Sequence, residues 1–126
     1  MNIKKSIVGS LFSMLLVSEM AAADWGDVYY CQMTNFNQIT LEGEMKNYEL
    51  EKFQFKLNQT KSAMVFGSTG SFADEVHKLV TGWSFPSQES WVANDAYAMT
   101  NFREGKFFYT LNTQGIISVS AICDKF

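Results

Sequence analysis

The chain has 126 residues, 18% of them charged and 15% aromatic, with a formal net charge of −3. A length of this order supports one hydrophobic core and no second one. Its acidic balance, with positive charges scattered singly rather than clustered, argues against nucleic acid and against an anionic membrane surface as partners.

The chain opens with a basic stretch, Met1-Asn2-Ile3-Lys4-Lys5, followed by the apolar run Ile7 to Val17 and then by Ala21-Ala22-Ala23. This reads as a secretory signal peptide, residues 1–23, cut between Ala23 and Asp24. The apolar run falls well short of the roughly 20 residues needed to span a bilayer, so no membrane span is expected. The first cysteine, Cys31, lies well past the cut, which excludes a lipid anchor there. Residues 24–126 are then a single domain of an exported protein, periplasmic or extracellular, with a net charge of −4 once Lys4, Lys5 and Glu19 are gone.

Along the mature part, Asp27 to Met33 is a strand candidate with Tyr29, Cys31 and Met33 on one face, and Ile39 to Leu41 is another. Glu51 to Leu57 is the clearest strand: Phe53, Phe55 and Leu57 alternate with Lys52, Gln54 and Lys56. After the turn residues Asn58 to Lys61, Ala63 to Phe66 returns as its hairpin partner. The stretch Phe66-Gly67-Ser68-Thr69-Gly70-Ser71 lacks the endings of a P-loop and of a nucleophile elbow, so Gly67 and Gly70 are read as positive-φ turn glycines. Ser71 to Val80 has a capping serine, acids Asp74 and Glu75 in its first turn and apolar residues at helical spacing. A short helix over 72–80 is expected there, in competition with the β pattern around it. Ala96 to Phe102 is a strand, and Lys106 to Leu111 pairs with Ile116 to Cys123 across Asn112 to Gly115.

In an oxidising compartment the two cysteines, Cys31 and Cys123, are expected to form a disulfide that brings the first and last strands together. A closed barrel and a two-sheet sandwich both satisfy that tie. The fold class is therefore all-β, a small antiparallel barrel or sandwich of six to eight strands.

No catalytic set stands out, no metal site is expected because a lone histidine and two distant cysteines make no four-ligand zinc site, and no cofactor is implied. His77, the only histidine, is read as a surface residue, with Asp74 and Glu75 favourably placed against a helix dipole. Glu42, Glu44, Glu49 and Glu51 form the densest acidic stretch; a carboxylate pair serves a hydrolase or a calcium site only in the right geometry, and with Lys46 among them and Lys52 next to Glu51 a solvated face is the simpler reading. The aromatic content is the most unusual quantity. Core filling accounts for most of it, while Trp25, Tyr30, Trp83, Trp91 and Phe108 are the candidates for a ligand-binding surface.

Through Phe53-Gln54-Phe55, Phe66-Gly67, Gly105-Lys106-Phe107 and the ending Cys123-Asp124-Lys125-Phe126, the mature chain resembles small exported bacterial β-rich proteins to which no activity is assigned. That resemblance implies export and a β-rich fold and transfers no functional residue. In architecture the expected fold is also similar to periplasmic lysozyme inhibitors, small disulfide-linked β-barrels whose inhibitory motif does not align here. The expected function is a non-enzymatic binding module of the cell envelope recognising a small apolar ligand, a glycan or another envelope protein through aromatics. An inhibitor of a peptidoglycan hydrolase and a carboxylate-based hydrolase are the alternatives.

Overall fold

The computed structural model describes residues 26–126. The signal peptide reading and Trp25 lie outside the described residues. Nine strands follow in chain order: β1 (Val28–Ile39), β2 (Met45–Asn47), β3 (Lys52–Leu57), β4 (Ala63–Phe66), β5 (Val76–Leu79), β6 (Ser90–Asp95), β7 (Ala98–Arg103), β8 (Lys106–Thr113) and β9 (Gly115–Lys125). From β3 to β9 each strand pairs antiparallel with the next, and β1 pairs with both β3 and β9. Eight strands therefore close into a barrel, which decides between the two architectures left open by the sequence. The short β2 lies outside that ring and continues along β1 beyond β3.

Closure occurs at the β1–β9 seam. Cys31 and Cys123 face each other across it as register partners with Cα atoms 4.0 Å apart, and their sulfurs are bonded. Both side chains point inward. Beyond the disulfide the register shifts between Met33 and Asn35, a bulge that gives β1 one extra residue. Strict alternation would turn Asn35 and Asn37 inward, but the bulge lets Met33 and Phe36 share the inner face. Past it, β1, β9 and the end of β8 run on together and, with β2, form an arm projecting from the barrel rim. Gly115, at φ +84, makes the β8–β9 turn, and a Cβ there would collide with the carbonyl oxygen of Ile39.

The interior is packed with rings. Tyr29, Phe53, Phe55, Phe66, Phe72, Trp91, Phe102, Phe107 and Tyr109 are all buried. They meet in stacked and edge-to-face pairs, such as Trp91 on Phe102 at 4.5 Å and Tyr29 on Phe55 at 4.9 Å. Rings pack so because their electron-rich faces attract the positive edges of neighbours. The outer surface is mixed: Lys52, Gln54 and Lys56 on β3, Lys78 on β5, Arg103 on β7, Lys106 on β8 and Asp124 on β9 face out, as do Tyr30 on β1, Val76 on β5, Met99 on β7, Phe108 on β8 and Ile122 on β9. Among the described residues no helix is long and apolar enough to cross a membrane.

The helix expected over 72–80 is corrected by the structure. Ser71 to Asp74 is a turn and Val76–Leu79 is strand β5, hydrogen-bonded between β4 and β6. Nine residues at helical spacing cannot hold a helix without a packing partner, whereas a strand here gains two neighbours and fills the gap in the ring. Asp74 closes the turn in a left-handed conformation at φ 62, and Phe72, at its tip, plugs the rim against Tyr109 at 4.8 Å. Of the two turn glycines only Gly70 has positive φ. Gly67 instead lies against the side chain of Gln54, where a Cβ would sit 3.0 Å from its Cγ.

Replacing both cysteines, C31A with C123A, releases a link spanning 92 residues. The expected loss is about 2–5 kcal/mol of unfolding free energy. Urea denaturation followed by tryptophan fluorescence measures it, and an unchanged midpoint would show that strand pairing alone holds the seam.

Candidate functional site

Because all the strands are antiparallel, the barrel has two rims with different chemistry. One rim is formed by the start of β1, the end of β9 and the segment leading into β6. There Tyr29 donates its hydroxyl to Glu89 Oε2 at 2.9 Å, and Lys125 Nζ lies 2.8 Å from the same oxygen. Glu89 follows a single 3-10 turn, Pro86–Gln88, and holds φ 50, so its carboxylate folds over the rim. This clasp ties three distant parts of the chain and is explained by closure of that end.

The opposite rim holds a fully buried imidazole. His77 is 0% exposed. In a strand it follows period two, so while Val76 and Lys78 face out it faces in, against Phe66 at 4.6 Å between ring centroids and parallel to Tyr109 at 5.8 Å. The expectation of a surface histidine is thereby corrected, and its cause is the misread helix. Nδ1 of His77 lies 2.9 Å from Thr100 Oγ1, and Nε2 lies 2.7 Å from Glu75 Oε1 and 3.9 Å from Asp95 Oδ2. Thr100 on β7 is the other buried polar residue among those described, and its hydroxyl serves either tautomer of the imidazole, since it both donates and accepts.

Glu75 comes from the turn before β5, and Asp95 ends β6. They meet only because β5 and β6 are neighbours in the barrel. One ligand atom from each of Glu75, His77 and Asp95 lies within 4.8 Å of the others, and both carboxylates remain open to solvent on one side. Their negative charge has a second effect. Burial, with the Glu75 and Asp95 charges behind it, pushes the Tyr109 phenol up to about 12.

The surface aromatics named from the sequence do not converge. Trp91 is 1% exposed and belongs to the core, its Nε1 buried without a hydrogen-bond partner among the described residues. Strand β6 turns it inward opposite Phe102, so it offers no contact surface. Tyr30 lies on the outer wall beside Phe126 at 5.4 Å, and Phe108 lies across β9 from it. Their partners on β9, Asp124 and Ser120, are four residues apart, which is about 13 Å along a strand. Trp83 is exposed in the β5–β6 connection on the far side of the barrel. No single platform joins these three.

Apolar surface lies also on the arm. Met45 on β2, Ile39 on β1 and Ile116 on β9 are register partners in one row, all exposed, with Leu41 in the adjoining turn and Leu50 beyond β2. Glu44 O accepts from Thr40 N, and Tyr48 N donates to Phe36 O, so the even-numbered residues of this segment face β1. The N–H and C=O groups of Met45 and Asn47 point outward, with no partner among the described residues. Of the four acids read from the sequence, Glu42, Glu44 and Glu49 are exposed around this edge. Glu51 holds local structure together instead. Its oxygens accept from Ser71 N at 2.9 Å and from Ser71 Oγ at 2.8 Å, anchoring the turn that carries Phe72.

The Tyr109 shift has a defined sign. An unfolded tyrosine ionises near pH 10, while the folded one holds its proton to about 12, so its contribution to stability is complete below pH 10 and is lost as pH rises through 12. Alkaline titration at the phenolate absorbance band, taken as the difference between the native protein and Tyr109→Phe, is expected to show a midpoint near that higher value. A midpoint near 10 would mean that the ring is solvated.

No protein-family model, no curated protein and no solved structure matches the chain.

Proposed function

We propose that this chain is an exported, non-enzymatic binding module of the cell envelope that grips an extended segment of another envelope protein along the arm. One observation carries the reading. The exposed row Met45, Ile39 and Ile116 adjoins a strand edge whose outward backbone groups lack partners among the described residues. Such an edge adds a strand from a partner: main-chain hydrogen bonds supply affinity, and alternate side chains supply specificity. The exposed acids Glu42, Glu44 and Glu49 suit a segment with basic residues flanking its apolar ones. Nine buried rings fill the barrel, which favours recognition on the outside over a small apolar ligand within. The leader-like N-terminus and the disulfide support an envelope location.

A photo-crosslinking residue at Met45, in protein expressed in its own host, is expected to give one discrete adduct with an envelope protein. The same residue at the outward Lys56 should give none. Asn47→Pro removes an outward N–H without touching the β1 pairing and should abolish the adduct. An adduct that survives this substitution, or no adduct at all, would remove strand addition from consideration. If the partner identified is a peptidoglycan hydrolase, slowing of that hydrolase at stoichiometric excess of the module in a turbidity assay is the expected result of inhibition.

A further inference from the structure

We propose that Glu75, His77 and Asp95 form a binding site for one divalent first-row transition-metal ion at the arm end of the barrel, a site separate from the protein-binding edge. The three residues come from a turn and two strands, so their convergence is a product of the fold. His77 presents Nε2 to both carboxylates, at 2.7 Å from Glu75 and 3.9 Å from Asp95. Around a bound ion, imidazole nitrogen and carboxylate oxygen each stand about 2.0–2.2 Å from the metal, which separates such donor atoms by roughly 3 Å. The two His77 separations bracket that value, and with one ligand atom from each residue already within 4.8 Å of the others, movement of two partly exposed carboxylates completes the set.

The surroundings fit a metal-bound imidazole. The ring is held rigidly between Phe66 and Tyr109, and Thr100 Oγ1, at 2.9 Å, accepts the Nδ1 proton when Nε2 is occupied. That outer hydrogen bond is the usual means of fixing the tautomer and raising the basicity of a ligating histidine. In the metal-bound state the single ring proton sits on Nδ1, held by Thr100, and the Nε2 lone pair faces the ion between the two carboxylates. An imidazole with two carboxylates selects zinc, manganese, iron, cobalt or nickel over calcium and magnesium, which prefer all-oxygen sites. Three protein ligands leave the remaining positions to water, on the side where Glu75 and Asp95 meet solvent.

The test uses tag-free, disulfide-intact protein stripped with chelator and dialysed. Isothermal titration with Zn2+ is expected to show one equivalent bound per chain, and Co2+ should develop visible d–d bands on the same site. Asp95→Asn and Glu75→Gln, both at partly exposed positions, should keep the circular dichroism spectrum of the native protein. Each should weaken Zn2+ binding by about tenfold or more, while Glu104→Gln, exposed on the opposite rim, leaves it unchanged. No binding at millimolar Zn2+, or binding indifferent to both substitutions, overturns the proposal and leaves a hydrogen-bonded ion pair that satisfies a buried histidine.

Discussion

Pairing of β1 with β9 is the constraint on which the rest of the molecule depends. These strands lie near opposite ends of the domain, and joining them turns a meander with two open edges into a ring with none. A sheet of this size left open would expose one face of every inward ring. Closed, it buries nine aromatic side chains in a single core. The Cys31–Cys123 bond sits inside that seam, between residues already in register, so covalent and hydrogen-bonded closure act at the same place.

Closure also decides where function resides. Because the core is filled by rings, polar chemistry is pushed to the two rims and apolar contact to the outside. The rim at the start of β1 is sealed by the Tyr29–Glu89–Lys125 clasp. At the other rim Phe72 plugs the centre, and His77 is buried beside it with two carboxylates drawn to its Nε2. The arm springs from this same rim because the bulge after Met33 keeps β1 paired with β9 well beyond the barrel. An extended edge and a histidine–carboxylate cluster therefore arise from one construction, the unequal lengths of the strands.

Much of the barrel was legible in the sequence where one rule operated alone. Lys52 to Leu57 alternates cleanly because one face meets rings and the other meets water, and Ala63–Phe66 emerged with its bounds intact. The closing hairpin of β8 and β9 and the disulfide followed from turn residues and cysteine count. Reading failed where two periods competed. The bulge interrupts alternation in β1, so the strand read as stopping at Met33 and Ile39 to Leu41 read as a separate one. Strand β5 was hidden by apolar residues that also fit a helix, and β2, three polar-to-mixed residues, carries too little pattern to be seen. The histidine cluster was missed for the same reason as β5. A strand-period reading of Val76-His77-Lys78-Leu79 would have turned His77 inward, and a buried imidazole demands polar partners; which ones depends on barrel neighbours that no local pattern encodes. Trp91 misled in the opposite sense, since β6 was not seen as a strand and its inward face went unread.

The measurement that bears most directly on seam closure is amide hydrogen exchange of the oxidised protein, resolved by residue. Before the bulge, the even-numbered residues of β1 and β9 face each other across the seam, as the reciprocal bonds between Val28 and Phe126 show. A closed seam predicts that the Tyr30, Gln32, Ile122 and Asp124 amides exchange as slowly as the centre of β3, through global unfolding alone. Exchange at these four positions as fast as in an open edge strand, with β3 still protected, would contradict a closed barrel.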